Sequence, residues 1–519
     1  MPSSPRPMLV PSSRLPVVLL ASLLAAASLA LCAAPPPVAG AAGATRSPIR
    51  HVIEIMLENH TFDDLFASFP GSNGIPNGTE LPDPAAGGRA IAPFPAPPDE
   101  GDVQAGMDNS RTSELFAMHR VATTPAGAAP GRSPGAGTWA MDRFTLVPGS
   151  GLSSITTFPP SFDPDLQYLA RHYELADDNF QPIVGPTQPN VVAALAGTAH
   201  KATTNDDVPT VGVSWHTIFD QLSAAGLSSA IFYGVRLSVF EGTVWPELLP
   251  AGDPGALSTT TQFLADLAGG DLPAFSFVRP GVGYSEEPPE DVGEGDLWLG
   301  QLLSAIARSP EWPSTAVFIT YDEGGGFYDH VPPPVVTAYG YGTRTPLVIV
   351  SPSARHGVFS EETTNLSVLA FVEHLFGLPP LDSLVASQND LGAAFDLAAG
   401  PAPAPRPPVA PPVSFAAYGS ADRLSDVAAL APRHATSLLV EANTAGLALD
   451  TAYSGAIELA VSGPSGAADP LPSRVLLVRG VGHVPVRGAT AGYYRVTMRG
   501  RGGGLGYLTL DVGVGPDTP

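Results

Sequence analysis

Three short stretches of this chain carry residues whose types and spacing could do chemistry. The first is Pro313 to Pro334, PSTAVFITYDEGGGFYDHVPPP. Its run Ala316 to Tyr321 is apolar, β-branched and aromatic without polar alternation, the pattern of a strand buried on both faces in a parallel sheet. Asp322 and Glu323 follow at once, and three glycines come next. Paired carboxylates at the carboxyl end of a buried strand, beside a loop that lets backbone approach closely, occupy the place where open α/β sheets bind ligands. Asp329 and His330 lie a few residues on. Carboxylate oxygens suit hard divalent cations and imidazole suits softer ones. A solvated acidic turn is the alternative for any lone Asp-Glu pair.

The second stretch is Ile49 to Leu57, IRHVIEIML, another buried-strand pattern, which ends in Glu58, Asn59 and His60. If the two strands are neighbours, Glu58 and Asn59 stand beside Asp322 and Glu323 as further oxygen donors. Thr61, Phe62, Asp63 and Asp64 have the hydroxyl and carboxylates that open a helix, and Glu58-Asn59 alone would read as part of such a cap. The third is GPTQPNVVAALAG, where Pro186 and Pro189 stiffen the chain around Thr187 ahead of a helical run. Free N–H groups and the positive dipole end there suit a phosphate. Thr187 is a candidate nucleophile if a metal lowers its hydroxyl pKa, or simply a capping hydroxyl.

Positioning these groups takes a sheet with helices on both faces. Asp163 to Ala176 has an amphipathic helical pattern; Trp215 to Ala225, Leu297 to Ala307 and Asn365 to Phe376 read as helices; Ser229 to Tyr233, Ala274 to Val278 and Leu347 to Val350 read as strands. Such alternation predicts an α/β fold with a parallel sheet. Pro70 to Gly151 is rich in Pro, Gly, Asn and Ser and reads as surface loops of a lid or binding-loop kind, with His119 and Asp142 its notable polar residues. After a Pro-rich linker at 401–412 come short alternating runs (Ser437 to Glu441, Ala456 to Val461, Arg474 to Val478, Tyr493 to Met498, Tyr507 to Val512), a small all-β sandwich.

Of the 519 residues 49 are acidic and 25 basic, a formal charge of −24, which excludes a protein that coats nucleic acid and disfavours docking on anionic membranes by charge. Residues 1–44 read as an export signal: Arg6 and Arg14 precede the apolar run Leu15 to Ala34, and Ala39, Ala41, Ala42 and Ala44 offer cleavage sites. An uncleaved anchor is the alternative. The one cysteine, Cys32, lies inside that segment, so neither a disulfide nor a lipid anchor is expected after cleavage.

The motif order resembles the bacterial phosphoesterase family of secreted phospholipases C and acid phosphatases, with plant non-specific phospholipases C as relatives. The matching segments are ENHTFDDLF, ELADDNFQPIVGPTQPN, SWHTIFDQLSAAGLSSAIFY, LPAFSFVRP, TYDEGGGFYDHVPPP and TPLVIVSPSAR, from about Ile49 to Leu381. The resemblance implies an alkaline-phosphatase-like α/β sheet and metal-dependent phosphoester hydrolysis. Glu58, Asn59, Asp322 and Glu323 then look like metal and active-site groups, with a divalent ion of unspecified identity. Thr187 looks like the nucleophile or a phosphate-contacting hydroxyl, and His330 like a histidine that binds phosphate or protonates the leaving group. Gly324, Glu287 and Val191 stand where the family usually has His, His and Arg, so charge neutralisation and proton supply depart from its pattern.

The expected organisation is a signal peptide (1–44), a phosphoesterase domain (45–400), a linker (401–412) and an immunoglobulin-like accessory domain (413–519). The expected activity is a secreted phospholipase C-type phosphoesterase, with an acid phosphatase on phosphomonoesters or a non-catalytic surface-binding protein as alternatives. Phospholipid or phosphomonoester is the expected substrate, with transient membrane-surface contact and no nucleic acid or protein partner. The YSEEPPED stretch from Tyr284, with Phe327 and Tyr328, is the expected rim for a cationic headgroup.

Overall fold

The computed structural model describes residues 47–96, 107–121, 138–208, 215–234, 248–249, 257–281, 283–288, 290–334, 340–397, 413–418, 436–444, 449–463, 470–486 and 492–512. The expected export signal and Pro-rich linker fall outside the described residues. Among those residues no helix is long and apolar enough to cross a membrane.

An eight-stranded sheet forms the centre. Its strands are β1 (His51–Leu57), β2 (Glu174–Ala176), β3 (Ser229–Tyr233), β4 (Leu257–Thr259), β5 (Phe275–Arg279), β6 (Thr315–Tyr321), β7 (Leu347–Val350) and β8 (Gly357–Phe359). They lie in the order β4-β3-β5-β1-β6-β7-β2-β8. The sheet is mostly parallel, as expected, with one reversal: β7 runs antiparallel to both β6 and β2, while the β4-to-β6 part is parallel. A short apolar run such as LVIV is buried on both faces whichever way it runs, so its pattern does not carry direction.

The two-residue period of the strands feeds two cores. Val52, Met56, Phe275, Phe277, Phe318 and Ile349 point to one face. Helices α4 (Thr187–Ala196), α5 (Ile218–Ala224) and α8 (Leu366–Phe376) cover it. Ile53, Ile55, Leu57, Val317, Ile319 and Val348 point to the other. There the cover is α1 (Phe62–Phe66), α3 (Pro164–His172), α6 (Thr260–Gly269) and α7 (Val292–Arg308). The helical pattern from Asp163 stops at His172, and Glu174–Ala176 is a strand: Tyr173 takes extended backbone and β2 is held by β7 and β8. Tertiary pairing overrides the amphipathic pattern there.

The Pro70 to Gly151 segment differs from the expected surface loops. It includes α2 (Arg111–Met118) and builds a small core from Leu81, Met118, Trp139, Phe144 and Tyr328. His119 and Asp142 pair with each other at 2.7 Å on its exposed side.

Toward the carboxyl terminus, β9 (Val413–Tyr418), β10 (Thr436–Thr444), β11 (Gly455–Ser462), β12 (Arg474–Leu477), β13 (Val481–Val486), β14 (Gly492–Arg499) and β15 (Leu505–Val512) lie in the order β12-β11-β14-β15-β9-β10-β13. Two antiparallel groups meet through a single parallel pair, Ser414 with Leu505. Leu438, Val440, Ile457, Tyr494, Val496 and Leu508 fill the space they enclose.

Candidate active site

Sheet register builds the site. Leu57 of β1 stands opposite Tyr321 of β6, so Glu58 and Asn59 leave the sheet beside Asp322 and Glu323. Both strand ends are tied to one carboxylate, because the N–H groups of Asn59 (3.3 Å) and Glu323 (2.9 Å) donate to Asp322 Oδ1. Glu323 is held in turn by Asn109 Nδ2 on Oε1 (2.5 Å) and by the Gly325 N–H on Oε2 (2.6 Å). Gly325 has φ +61°, and a Cβ there would lie 2.2 Å from the Asn59 carbonyl oxygen, so only glycine lets the loop close this tightly.

Thr187 enters from the opposite side. It is the first residue of α4, directly after the cap residue Pro186, which has no side chain able to cap the helix. The Thr187 hydroxyl lies beside Asp322 and favours the ionised form of that carboxyl. Asn190 pins the preceding loop: its amide donates to the carbonyls of Gly185 and Pro186 and accepts from the Ile183 N–H. The helix start therefore brings a hydroxyl up to the acid cluster.

Four residues that sequence reasoning did not single out complete the surroundings. Arg279, at the end of β5, is buried and ion-paired with Glu58 Oε1. Glu114 of α2 accepts from the Gly185 N–H (2.9 Å) and bonds to Glu323. Gln181 bridges the halves, its Oε1 accepting from the Gly324 N–H (3.0 Å) while its Nε2 donates to Glu114 (3.2 Å). Asn109 is the fourth. Only Arg279 had a readable signal, a charged residue at the carboxyl end of a buried strand beside β1.

Electrostatics mark the cluster as unfinished. Burial pushes Asp322 above the usual carboxylate range against the pull of Arg279. Burial, then the charges of Asp322 and Glu114, push Glu323 far above it. Burial carries Glu114 to about 8. Four carboxyl groups, Glu58, Glu114, Asp322 and Glu323, gather here, with Arg279 paired to Glu58 and drawing on Asp322, and Arg111 drawing on Glu114. Asn59 Oδ1 and Asp322 Oδ2 are buried with no hydrogen-bond partner, and buried oxygens in that state need a donor or a cation. The donor set therefore fits a divalent ion.

His330 lies in a second cluster. Its Nδ1 meets Asp63 Oδ2 at 2.7 Å, and one ligand atom each from Asp63, Asp329 and His330 falls within 4.8 Å of the others. Among the described residues this is the group of acidic and imidazole side chains that converges closely enough to hold a metal ion, and the buried Arg344 already sits on both carboxylates, at 2.9 Å from Asp63 and 3.0 Å from Asp329.

The departures from the family pattern have physical reasons. A Cβ at Gly324 would lie 2.3 Å from the Thr343 hydroxyl, so a side chain there requires Thr343 to shift. Val191 is a core residue and Glu287 is exposed. The headgroup rim is overturned: Tyr284, Ser285, Glu286, Glu290, Phe327 and Tyr328 are all buried. Glu290 accepts from Gly283, Ser285 N and Ser285 Oγ, and Glu286 accepts from the Tyr321 hydroxyl at 2.5 Å. Their carboxylates are internal fastenings, not a solvent-facing rim.

The Phosphoesterase family model matches residues 49–379. The chain belongs to that family. It is therefore a hydrolase acting on phosphate esters. It is similar to non-specific phospholipase C6 of Arabidopsis thaliana, 26% identical over 381 residues that cover 64% of this chain and 69% of the relative. To phospholipase C B of Mycobacterium tuberculosis it is 25% identical over 423 residues, 68% and 79% of the two chains. Among solved structures, an alkaline phosphatase superfamily protein from Vibrio parahaemolyticus overlaps 54% of this chain and 73% of its own at TM-score 0.34 and 12% identity, an overlap that carries no argument about the site.

Proposed function

We propose that the chain is a metal-dependent phosphoesterase of phospholipase C type, with Thr187 as nucleophile and Glu58, Asn59, Asp322 and Glu323 as the cation site. The observation that carries this is the Thr187 hydroxyl at a helix start, beside the buried Asp322 carboxyl, next to which the Asn59 side-chain oxygen is buried without a partner. A divalent cation bound there lowers a hydroxyl pKa and offsets phosphate charge. Thr187 Oγ forms the bond to phosphorus as the bond to the leaving oxygen breaks, and water then cleaves the phosphothreonine. The α4 N–H groups face the equatorial oxygens. Asp63 occupies His330 Nδ1, which leaves Nε2 as the atom that protonates the leaving group. Glu58 is shared between this role and Arg279.

Export through residues 1–44 and an immunoglobulin-like accessory domain at 413–519 belong to the same reading. The first is supported by the Arg-flanked apolar run, the second by the two joined antiparallel groups.

The test is metal analysis together with hydrolysis of p-nitrophenyl phosphate and p-nitrophenyl phosphorylcholine, with and without chelator, for wild type and Thr187→Ala. Expected is chelator-sensitive turnover that favours the diester, and a loss of several orders of magnitude in Thr187→Ala with cation still bound. Turnover of the monoester alone would assign acid phosphatase. No turnover of either ester with cation bound would leave the surface-binding reading.

A further inference from the structure

We propose that Arg495, on β14 of the C-terminal sheet, is a positioning residue for the Glu58 to His60 end of β1. Its guanidinium makes a two-pronged bond to Asp291, Nε to Oδ2 and Nη2 to Oδ1, both at 2.8 Å. Asp291 caps α7 by accepting from the Gly293 N–H at 2.9 Å. A planar fork on a carboxylate fixes orientation as well as distance. The fit is close: a Cβ on Gly293 would lie 2.4 Å from Arg495 Nη2. Two more bonds join the sheet to the same region, the Tyr507 N–H to Glu294 Oε2 (2.7 Å) and Asn443 Nδ2 to the Tyr284 hydroxyl (3.1 Å). Leu439 of β10 packs onto the core that includes Tyr284 and Trp298.

What this interface grips is the loop between β5 and α7, and that loop holds the site. The Ser285 carbonyl accepts the Glu58 N–H at 2.8 Å, and the Glu286 carbonyl meets His60 Nε2 at 3.0 Å. Glu286 is held in a left-handed conformation at φ +67°, a geometry that persists only when its surroundings impose it. A parallel route runs through rings. Arg495 lies 4.6 Å over Phe162, which contacts Phe158, which contacts His60. Arg495 touches no site group; it acts by immobilising what does.

The inference rests on the proposed reading of that site, and the experiment separates the two. In the full-length protein, Arg495→Ala should raise hydrogen exchange in 57–62 together with 283–295. It should lower kcat for p-nitrophenyl phosphorylcholine by about 10-fold or more, with KM within about twofold. Arg495→Lys, which keeps the charge but loses the fork, should fall between. Exchange raised only within 492–512, with kcat unchanged, would overturn the proposal. If Arg495→Ala does not fold, Gly293→Ala displaces the guanidinium with every charge retained, and the same two readouts decide. A wild type that hydrolyses neither ester would defeat the functional reading, and exchange at 57–62 would then decide the positioning role alone.

Discussion

Two acid clusters stand close in sequence at the carboxyl ends of β1 and β6, and they are finished differently. In one, Asp63 and Asp329 enclose Arg344, whose guanidinium also reaches the carbonyls of Asn73 and Asp177 and lies 4.6 Å over the Phe62 ring. Its donors are spent on the carboxylates and on backbone. In the other, Asn59, Asp322 and Glu323 are tied together through backbone N–H groups, yet an amide oxygen and a carboxylate oxygen stay orphaned. Burial is nearly complete in both, so burial does not tell a structural ion pair from a binding site. The partners differ: arginine closes the first cluster, while the second keeps buried oxygens that, on the proposed reading, a cation would meet.

The largest expected effect tests that distinction at Asp322. Asp322→Asn keeps an oxygen for the Asn59 and Glu323 N–H groups but removes the charge, so the fold should persist. Divalent-cation binding, followed by calorimetry, should weaken sharply, and kcat should fall on the order of 10²- to 10³-fold. Undiminished cation binding in this variant would transfer the site to Asp63, Asp329 and His330 and collapse the comparison.

Next comes Arg344. Arg344→Leu leaves two buried carboxylates without their cation, and breaking such a set costs roughly 3–5 kcal/mol. Burial already holds Asp329 at about 6 even with Arg344 beside it, which shows how unfavourable the charged form is there. Urea unfolding should register the loss, and added divalent cation should not restore it. Recovery of stability by cation would show that this cluster too can take a metal. Arg344→Lys should restore only part, since an ammonium cannot span both carboxylates and two carbonyls as the fork does.

What the sequence made legible follows from how each group is placed. Glu58, Asn59, Asp322 and Glu323 sit at the ends of long apolar runs, and a buried strand advertises its own end; the register of β1 with β6 then brings them together. Thr187 was readable because two prolines flag a helix start. Asn109, Glu114 and Gln181 had no such marker. Asn109 and Glu114 come from a segment whose Pro and Gly content reads as loop, and the small core around Met118, Trp139 and Phe144 carries α2 back to the sheet, while Gln181 is an uncharged residue in the loop before α4. The direction of β7 was equally hidden, because an all-apolar strand looks the same from either end. The YSEEPPED stretch misled for the opposite reason. Acidic residues there suggest solvent, yet Glu286 and Glu290 turn inward to bond Tyr321, Ser285 and Gly283, so composition failed where local hydrogen bonds decided.

A third buried acid shows a further way to settle the same problem, and it gives the most gradual effect, absent at low pH and growing as pH rises. Glu54 points from β1 to the same face as Val52 and Met56, its Oε1 has no partner, and burial raises its pKa from 4.5 to about 8. Neither an arginine nor an open set of donors meets it; it keeps its proton. Because the unfolded chain releases that proton near 4.5 and the folded chain only near 8, the unfolded state binds fewer protons between those values. Stability therefore falls as pH rises across that window, by about 1.4 kcal/mol per unit at most from this group. Glu54→Gln keeps the shape and cannot ionise, so its unfolding free energy should lose that slope. Variant and wild type should nearly coincide below the window and part progressively up to about pH 8. Parallel stability curves for the two proteins would mean that Glu54 is ionised in the fold, and that a counter-charge or water reaches it after all.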